Sequence, residues 1–184
     1  NYALKIGRAV SYTHAGTVEF LVDKEENIFF IEVNPRIQVE HTITEEITGY
    51  ELVKAQIQIA EGEALNGSIL NIAKQEDSIV NGCAIQCRIT TEDPEDNFMP
   101  DYGTINAYRN AAGMGIRLDE GSSYPGVKIS PFFDSMLTKV SAWGSSLEVA
   151  ARSMERARSE VRIRGVKNNL LFLQNVIHHP ELMA

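Results

Sequence analysis

A short polar turn between two apolar-rich runs constrains this chain more than any other feature. Thr17-Val18-Glu19-Phe20-Leu21-Val22 and Ile28-Phe29-Phe30-Ile31-Glu32-Val33 are rich in β-branched and aromatic residues, and Lys24-Glu25-Glu26-Asn27 lies between them. Runs of that composition read as strands. A connection of about four residues makes antiparallel pairing in a β-hairpin the simplest reading. With Asp23 opposite Ile28, the register carried back along both strands sets Glu19 directly opposite Glu32. Like charges facing each other across a ladder destabilise it. A divalent cation reverses that penalty, because Mg²⁺ is typically held by one or two carboxylates together with phosphate oxygens of a substrate. The pair suggests a Mg²⁺-nucleotide site; a slipped register with one or both side chains in solvent is the alternative.

The continuation strengthens the first reading. Glu32, Asn34, Arg36, Gln38 and Glu40 alternate with Val33, Pro35, Ile37 and Val39, before His41. Period-two alternation in an extended segment to Glu40 places those five functional groups on one face. A solvated strand alternates too, but more often with Lys, Thr and Ser. Pro35 removes a ladder donor, which puts this stretch at an edge or an irregular bend where a ligand can approach. The row offers a metal ligand, an amide, a fixed cation for an oxyanion and a second carboxylate able to act as general base, the parts of a phosphoryl-transfer site.

The rest of the chain reads as a mixture of helix and strand. Residues 3 to 12 look like the end of a helix. Thr44-Glu45-Glu46 starts a helical turn that ends at Gly49, and Glu51 to Glu61 is an amphipathic helix ended by Gly62. Residues 66 to 81 are polar and aperiodic, a plausible connection. From Gly82 to Ala142 the pattern becomes short alternating stretches: 83 to 90, 104 to 109, 114 to 118, 127 to 130 and 136 to 142. Ser145-x-x-Glu148 matches a capping box, and Leu147, Ala150, Ala151, Met154, Ala157 and Val161 trace one helical face. A last helix covers 168 to 177. The expected class is α+β, with residues 1–62 forming one part and 63–184 a β-rich domain closed by C-terminal helices.

At 184 residues the chain can bury a sizeable core as one domain or two small ones. Its net charge of −8 is the wrong sign for broad phosphate neutralisation, which argues against a nucleic-acid partner. No apolar run approaches the roughly 20 residues of a membrane span, and the first residues lack the apolar stretch of a secretory signal. A cytosolic-type compartment with no membrane partner is the expectation. Cys83 and Cys87 fall in one strand about 13 Å apart, too far to bond to each other, and read as reduced core residues.

Gly16-Thr17-Val18-Glu19-Phe20-Leu21 followed by Phe30-Ile31-Glu32-Val33-Asn34-Pro35-Arg36-Ile37-Gln38-Val39-Glu40-His41 resembles the signature of the biotin carboxylase family of ATP-grasp enzymes. The likeness continues through Cys87-Arg88-Ile89, Glu92-Asp93-Pro94, Pro131-Phe132-Phe133-Asp134-Ser135-Met136 and Arg164-Gly165-Val166-Lys167-Asn168-Asn169, and so covers nearly the whole chain. Within the family, Thr90-Thr91-Glu92-Asp93-Pro94 and Asn97-Phe98-Met99-Pro100-Asp101-Tyr102-Gly103 are worded more like the pyruvate-carboxylating branch than the subunit that serves acetyl-CoA carboxylation. One departure is Val33-Asn34-Pro35, where other members have Met and Thr around the Asn; both changes fall on the non-catalytic face.

The resemblance implies MgATP-dependent conversion of bicarbonate to carboxyphosphate and transfer of the carboxyl group to biotin. It implies that Glu19 and Glu32 are metal ligands, for Mg²⁺ or Mn²⁺, and that Asn34 assists at the metal and phosphate site. Arg36 matches the catalytic arginine, Gln38 and the Val39 backbone match bicarbonate-binding positions, and Glu40 matches the base that deprotonates bicarbonate. His41 follows that base and supports it. Arg88 matches the arginine that stabilises the biotin enolate oxygen. Leu21, Ile31 and Ile163 match apolar positions of the adenine pocket, although by pattern they are simply core. The family's glycine-rich phosphate lid, ATP-contacting lysines and N-terminal α/β domain have no match here, nor do the Ala-Met-Lys-Met biotin attachment motif and a carboxyltransferase domain. The opening Asn1 is consistent with a cut from something longer.

The expectation is therefore the C-terminal half of a biotin carboxylase module: residues 1–62 the end of an ATP-grasp domain, residues 63–184 the C-terminal domain, inactive alone. Its expected partners are ATP, bicarbonate, a biotin carrier domain and the upstream half, in a homo-oligomer. The compartment would be the cytoplasm, or the mitochondrial matrix in a eukaryote. A catalytically incomplete assembly module and another ATP-grasp acid ligase are the alternatives.

Overall fold

Asp23 decides how the hairpin closes. In the computed structural model, which describes residues 1–121 and 123–182, its Oδ1 accepts from the amides of Glu25 at 3.0 Å and Asn27 at 2.8 Å, while Oδ2 accepts from Asn27 Nδ2 at 2.8 Å. The Glu26 amide donates to the Asp23 carbonyl at 3.1 Å, and Glu26 adopts φ 64°. This is a three-residue loop, a turn followed by a left-handed residue, closed by Asp23 and Asn27. The expected register near the turn is thus corrected by one position: Val22, not Asp23, pairs with Ile28.

Two compact units follow from the contacts, Asn1–Val80 and Asn81–Ala184. The first holds helix α1 (Tyr2–Ala9), strands β1 (Thr17–Val22) and β2 (Ile28–Asn34), and helices α2 (His41–Thr48) and α3 (Leu52–Ala60). α1 lies against one face of the hairpin, where the Tyr2 and Phe20 rings are 6.3 Å apart and Phe20 meets Phe30 edge-on at 6.2 Å. Gly49 ends α2 at φ 74°, a left-handed C-cap that a side chain would strain. The first amide of α3, at Leu52, donates to Glu45 Oε1 at 2.6 Å, so a residue of α2 caps the next helix. The connection over residues 61 to 82 contains only the 3₁₀ turn Gln75–Asp77.

The second unit is built on a three-stranded antiparallel sheet in the order β3-β10-β8, with β3 at Cys83–Thr90, β8 at Ile116–Glu120 and β10 at Met136–Gly144. Short ribbons surround it: β4 (Glu92–Asp93) with β5 (Met99–Pro100), β6 (Gly103–Thr104) with β9 (Lys128–Ile129), and β7 (Ala107–Arg109) with β11 (Arg162–Arg164). Helix α4 (Leu147–Glu160) packs on β10 and presents buried Ala150, Ala151, Met154 and Ala157. Ile89, Ile105, Val140 and Met154 are fully buried, each worth about 1.5–3 kcal/mol on transfer from water. Helix α5 (Leu170–Ile177) completes the unit.

The architecture is α+β, as the pattern indicated. The capping expectation is corrected by one residue: Ser146, not Ser145, is the N-cap of α4, and its Oγ accepts from the Val149 amide at 3.4 Å. Cys83 and Cys87 are both free thiols; burial pushes Cys87 up to about 11. Among the described residues no helix is long and apolar enough to cross a membrane.

Candidate active site

A β-bulge brings the two carboxylates together. Phe20 pairs with Phe30, but Glu19 pairs with Glu32, so Ile31 is an extra residue on β2. Without it the register set by the turn would place Ile31 opposite Glu19; the bulge re-aims Glu32 onto that face instead. The one-residue error at the turn and the unforeseen bulge cancel, which is why Glu19 and Glu32 face each other after all.

Asn34 pairs with Thr17 on the same face, and its Nδ2 donates to Glu19 Oε1 at 2.8 Å and Glu32 Oε1 at 3.0 Å. Gln38 Nε2 adds a third contact, to Glu19 Oε1 at 3.2 Å. One nitrogen lies within hydrogen-bond reach of both carboxylates, so their oxygens are close enough to share a single donor. The donor set, two carboxylates and amides with phosphate oxygens to complete the shell, suits Mg²⁺ or Mn²⁺. No group of three or more His, Cys, Asp and Glu fit to hold a metal occurs among the described residues. Gln38 Oε1 is buried without a hydrogen-bond partner among the described residues. Such an acceptor costs about 1–3 kcal/mol unless a ligand donates to it.

The extended row to Glu40 is corrected. β2 ends at Asn34, the Arg36 amide folds back onto the Asn34 carbonyl at 2.8 Å, and Val39-Glu40 form a turn into α2, which starts at His41 rather than Thr44. Pro35 has no amide hydrogen to continue the ladder, which is the physical reason the strand stops. The five groups therefore do not share one strand face. Asn34 and Gln38 turn to the carboxylate pair. Exposed Arg36 lines an open groove of about 690 Å³ with Tyr12, His14 and Ile57, and its Nη1 donates to the Ile37 carbonyl at 3.2 Å. Exposed Glu40 occupies the N-cap position of α2.

His41 fixes the turn that carries Val39 and Glu40. Its Nδ1 meets the Gln38 carbonyl at 2.7 Å, an oxygen that can only accept, so Nδ1 carries the proton. Nε2 lies 3.9 Å from Glu45 Oε2. Glu45 was not singled out by sequence reasoning; its place one helical turn after His41 is the signal that could have found it.

Leu21 shares a face with Glu19 two residues away and is 63% exposed, and Ile31 is 46% exposed. The core position that pattern assigned to both is corrected: the sheet here has two strands, and α1 covers the opposite face around Phe20 and Phe30. Ile163, 5% exposed, is in the hydrophobic core of the second unit. Arg88, also in the second unit, is exposed on β3 between buried Cys87 and Ile89 and pairs with Lys139 of β10. The first unit thus brings together Glu19, Glu32, Asn34 and Gln38.

Comparison with known proteins places these features in a family context. Residues 86–184 match the model of the biotin carboxylase C-terminal domain, and residues 1–68 that of the carbamoyl-phosphate synthase L chain ATP-binding domain. Human mitochondrial pyruvate carboxylase is 53% identical over 182 residues, covering 99% of this chain and 15% of that protein. The complete multifunctional pyruvate carboxylase from Rhizobium etli superposes with a TM-score of 0.95 at 54% identity, over 99% of this chain and 18% of that one. The biotin carboxylase domain dimer of Hydrogenobacter thermophilus 2-oxoglutarate carboxylase, solved with MgADP, ADP and bicarbonate, matches at TM-score 0.91 and 42% identity, over 97% of this chain and 38% of that one. The chain spans about 15% of the length of the curated relatives it matches.

Proposed function

The chain belongs to the biotin carboxylase C-terminal domain family, and from that premise we propose that it supplies metal, bicarbonate and acceptor contacts for the ATP-dependent carboxylation of biotin within a pyruvate carboxylase. The observation that carries this reading is the opposed pair Glu19 and Glu32 bridged by Asn34. Facing carboxylates cost a sheet stability, and a bound divalent cation offsets that cost.

In this reading Glu19 and Glu32 hold Mg²⁺ or Mn²⁺, which when bound neutralises charge on the nucleotide's phosphate oxygens. Asn34 orients both carboxylates through its Nδ2. Leu21, on the same face, supplies apolar area for the nucleotide base, as does exposed Ile31. Gln38 and the Val39 amide hold bicarbonate. A Glu40 carboxylate oxygen takes the bicarbonate proton, so that the resulting oxyanion attacks the terminal phosphorus of ATP and ADP leaves. Arg36 offsets the anionic charge of the carboxylated phosphate, and Arg88 provides a fixed cation for the acceptor oxygen of biotin. Residues 1–62 act as the end of the ATP-grasp domain and 63–184 as the C-terminal domain. The biotin carrier, the upstream half of the module and a second copy are the partners, in the cytoplasm or the mitochondrial matrix.

The test is biotin-stimulated, bicarbonate-dependent ATP cleavage by this chain alone and by its complex with the upstream half. Turnover is expected in the complex only. Glu40→Gln should lower it roughly 100-fold or more with the fold intact; wild-type turnover in that variant would remove Glu40 from the base role. A folded, associated complex with no turnover would overturn the enzymatic reading.

A further inference from the structure

Asn169 stands at the N-cap of α5, where an Asn side chain ordinarily accepts from the first-turn amides of its own helix. It makes no such bond. Its amide is turned on β3 instead: Nδ2 donates to the Arg88 carbonyl at 3.0 Å, and Oδ1 accepts from the Thr90 amide at 3.0 Å. The Asn169 amide donates in turn to the Thr90 carbonyl at 3.3 Å. β3 is an edge strand in the order β3-β10-β8, and residues 88 and 90 direct their backbone groups to the same edge. The buried Asn169 side chain therefore takes the place of a neighbouring strand, over the one stretch that flanks Arg88.

We propose that Asn169 is a positioning residue for Arg88. β10 holds the strand from one edge through the neighbouring residues, Cys87 opposite Val140 and Ile89 opposite Thr138, and Asn169 pins residue 88 from the other. Ile89, fully buried next to it, fixes which way the strand faces. The direction in which the exposed Arg88 side chain leaves the sheet is then set before any ligand arrives, which lowers the entropy lost on arranging its guanidinium. An Asn needed only for the helix would cap it; this one leaves those amides and ties the helix to the arginine's strand. The inference rests on the reading of Arg88 as the cation facing the carboxyl acceptor.

The test uses the complex of this chain with the upstream half and free biotin as the probe. Asn169→Ala should lower kcat/KM for biotin roughly 10- to 100-fold and leave biotin-independent, bicarbonate-dependent ATP cleavage unchanged. Asn169→Asp keeps the acceptor for the Thr90 amide, loses the donor to Arg88 and should move biotin kinetics in the same direction. Combined with Arg88→Ala, Asn169→Ala should cause no further loss, as for two residues acting through one group. Wild-type biotin dependence in Arg88→Ala overturns the reading of Arg88 itself. Loss in Arg88→Ala with unchanged biotin kinetics in both Asn169 variants overturns the positioning role alone. Equal loss of biotin-dependent and biotin-independent cleavage in both Asn169 variants overturns it too, because a merely structural residue would act on both.

Discussion

Asn34 Nδ2 takes the place between Glu19 and Glu32 that the proposed function gives to a cation. An amide there holds the two carboxylates with partial positive charge but cannot neutralise them, and this makes the position diagnostic. Asn34→Asp replaces the shared donor with a third carboxylate. Without divalent metal the variant should be less stable by about 1 kcal/mol, the scale of like charges facing each other on a sheet. With Mg²⁺ or Mn²⁺ and a nucleotide present it should regain that loss, because a ligand that binds only the folded state stabilises it by mass action. Thermal unfolding with and without metal measures both. A metal-free Tm equal to wild type would mean that the carboxylates do not feel each other. Gln38 is satisfied on one side only: its Nε2 donates to Glu19, while its Oε1 is buried without a partner among the described residues.

Among the elements, the β7–β11 ribbon shares the core of the three-stranded sheet through Ile163 and reaches it through a phenol, Tyr108 on β7, which donates to Glu120 Oε1 of β8 at 2.9 Å. Burial first, and the Glu120 carboxylate second, push Tyr108 up to about 12 from an ordinary value of 10.0. The native state thus favours the neutral phenol: its contribution is complete below pH 10 and is lost as the pH rises to about 12. The denaturant midpoint should fall across that window by an amount worth of order 1 kcal/mol once solvent screening is discounted, and Tyr108→Phe should lose that part of the decline. A wild-type midpoint flat through the window would show that the phenol ionises as freely folded as unfolded. Elements of this kind differ in how far sequence reveals them. β1, α3 and α4 were legible because composition and apolar spacing declare them locally. The Ile31 bulge was not, since an extra residue in a ladder is defined by its partner strand and Ile31 looks like any other strand residue. The end of β2 was misread because alternation continues through Pro35 to Glu40 although the ladder does not. The place of Asn34 on the face of Glu32 was legible from its spacing of two; its bridging bonds, and the turning of Asn169 onto β3, depend on geometry that no local pattern encodes.

Across the molecule the two units are unequally equipped to stand alone. The buried hydrophobic cluster, from Cys87 through Val140 and Met154 to Ile177, lies entirely in the second unit. In the first, only Thr42 and Leu70 are buried among the described residues, while Leu21, Val22, Phe29 and Phe30 of the hairpin are exposed. These side chains lie on both faces of the hairpin, Leu21 and Phe29 on one, Val22 and Phe30 on the other beside α1. Apolar surface of that extent marks an interaction surface, for which the proposed function supplies the upstream half of the module. Local stability should follow the same division, because segments with few buried contacts open at low free energy. Limited proteolysis of this chain should therefore cut first within Asn1–Val80 and leave a resistant product that begins near Asn81. Adding the upstream half should slow those cuts and leave cleavage of the second unit unchanged. Equal cutting of both units, or protection by the upstream half confined to the second, would place the missing partner's contact elsewhere than on the exposed hairpin. The metal site would then have to be complete without it.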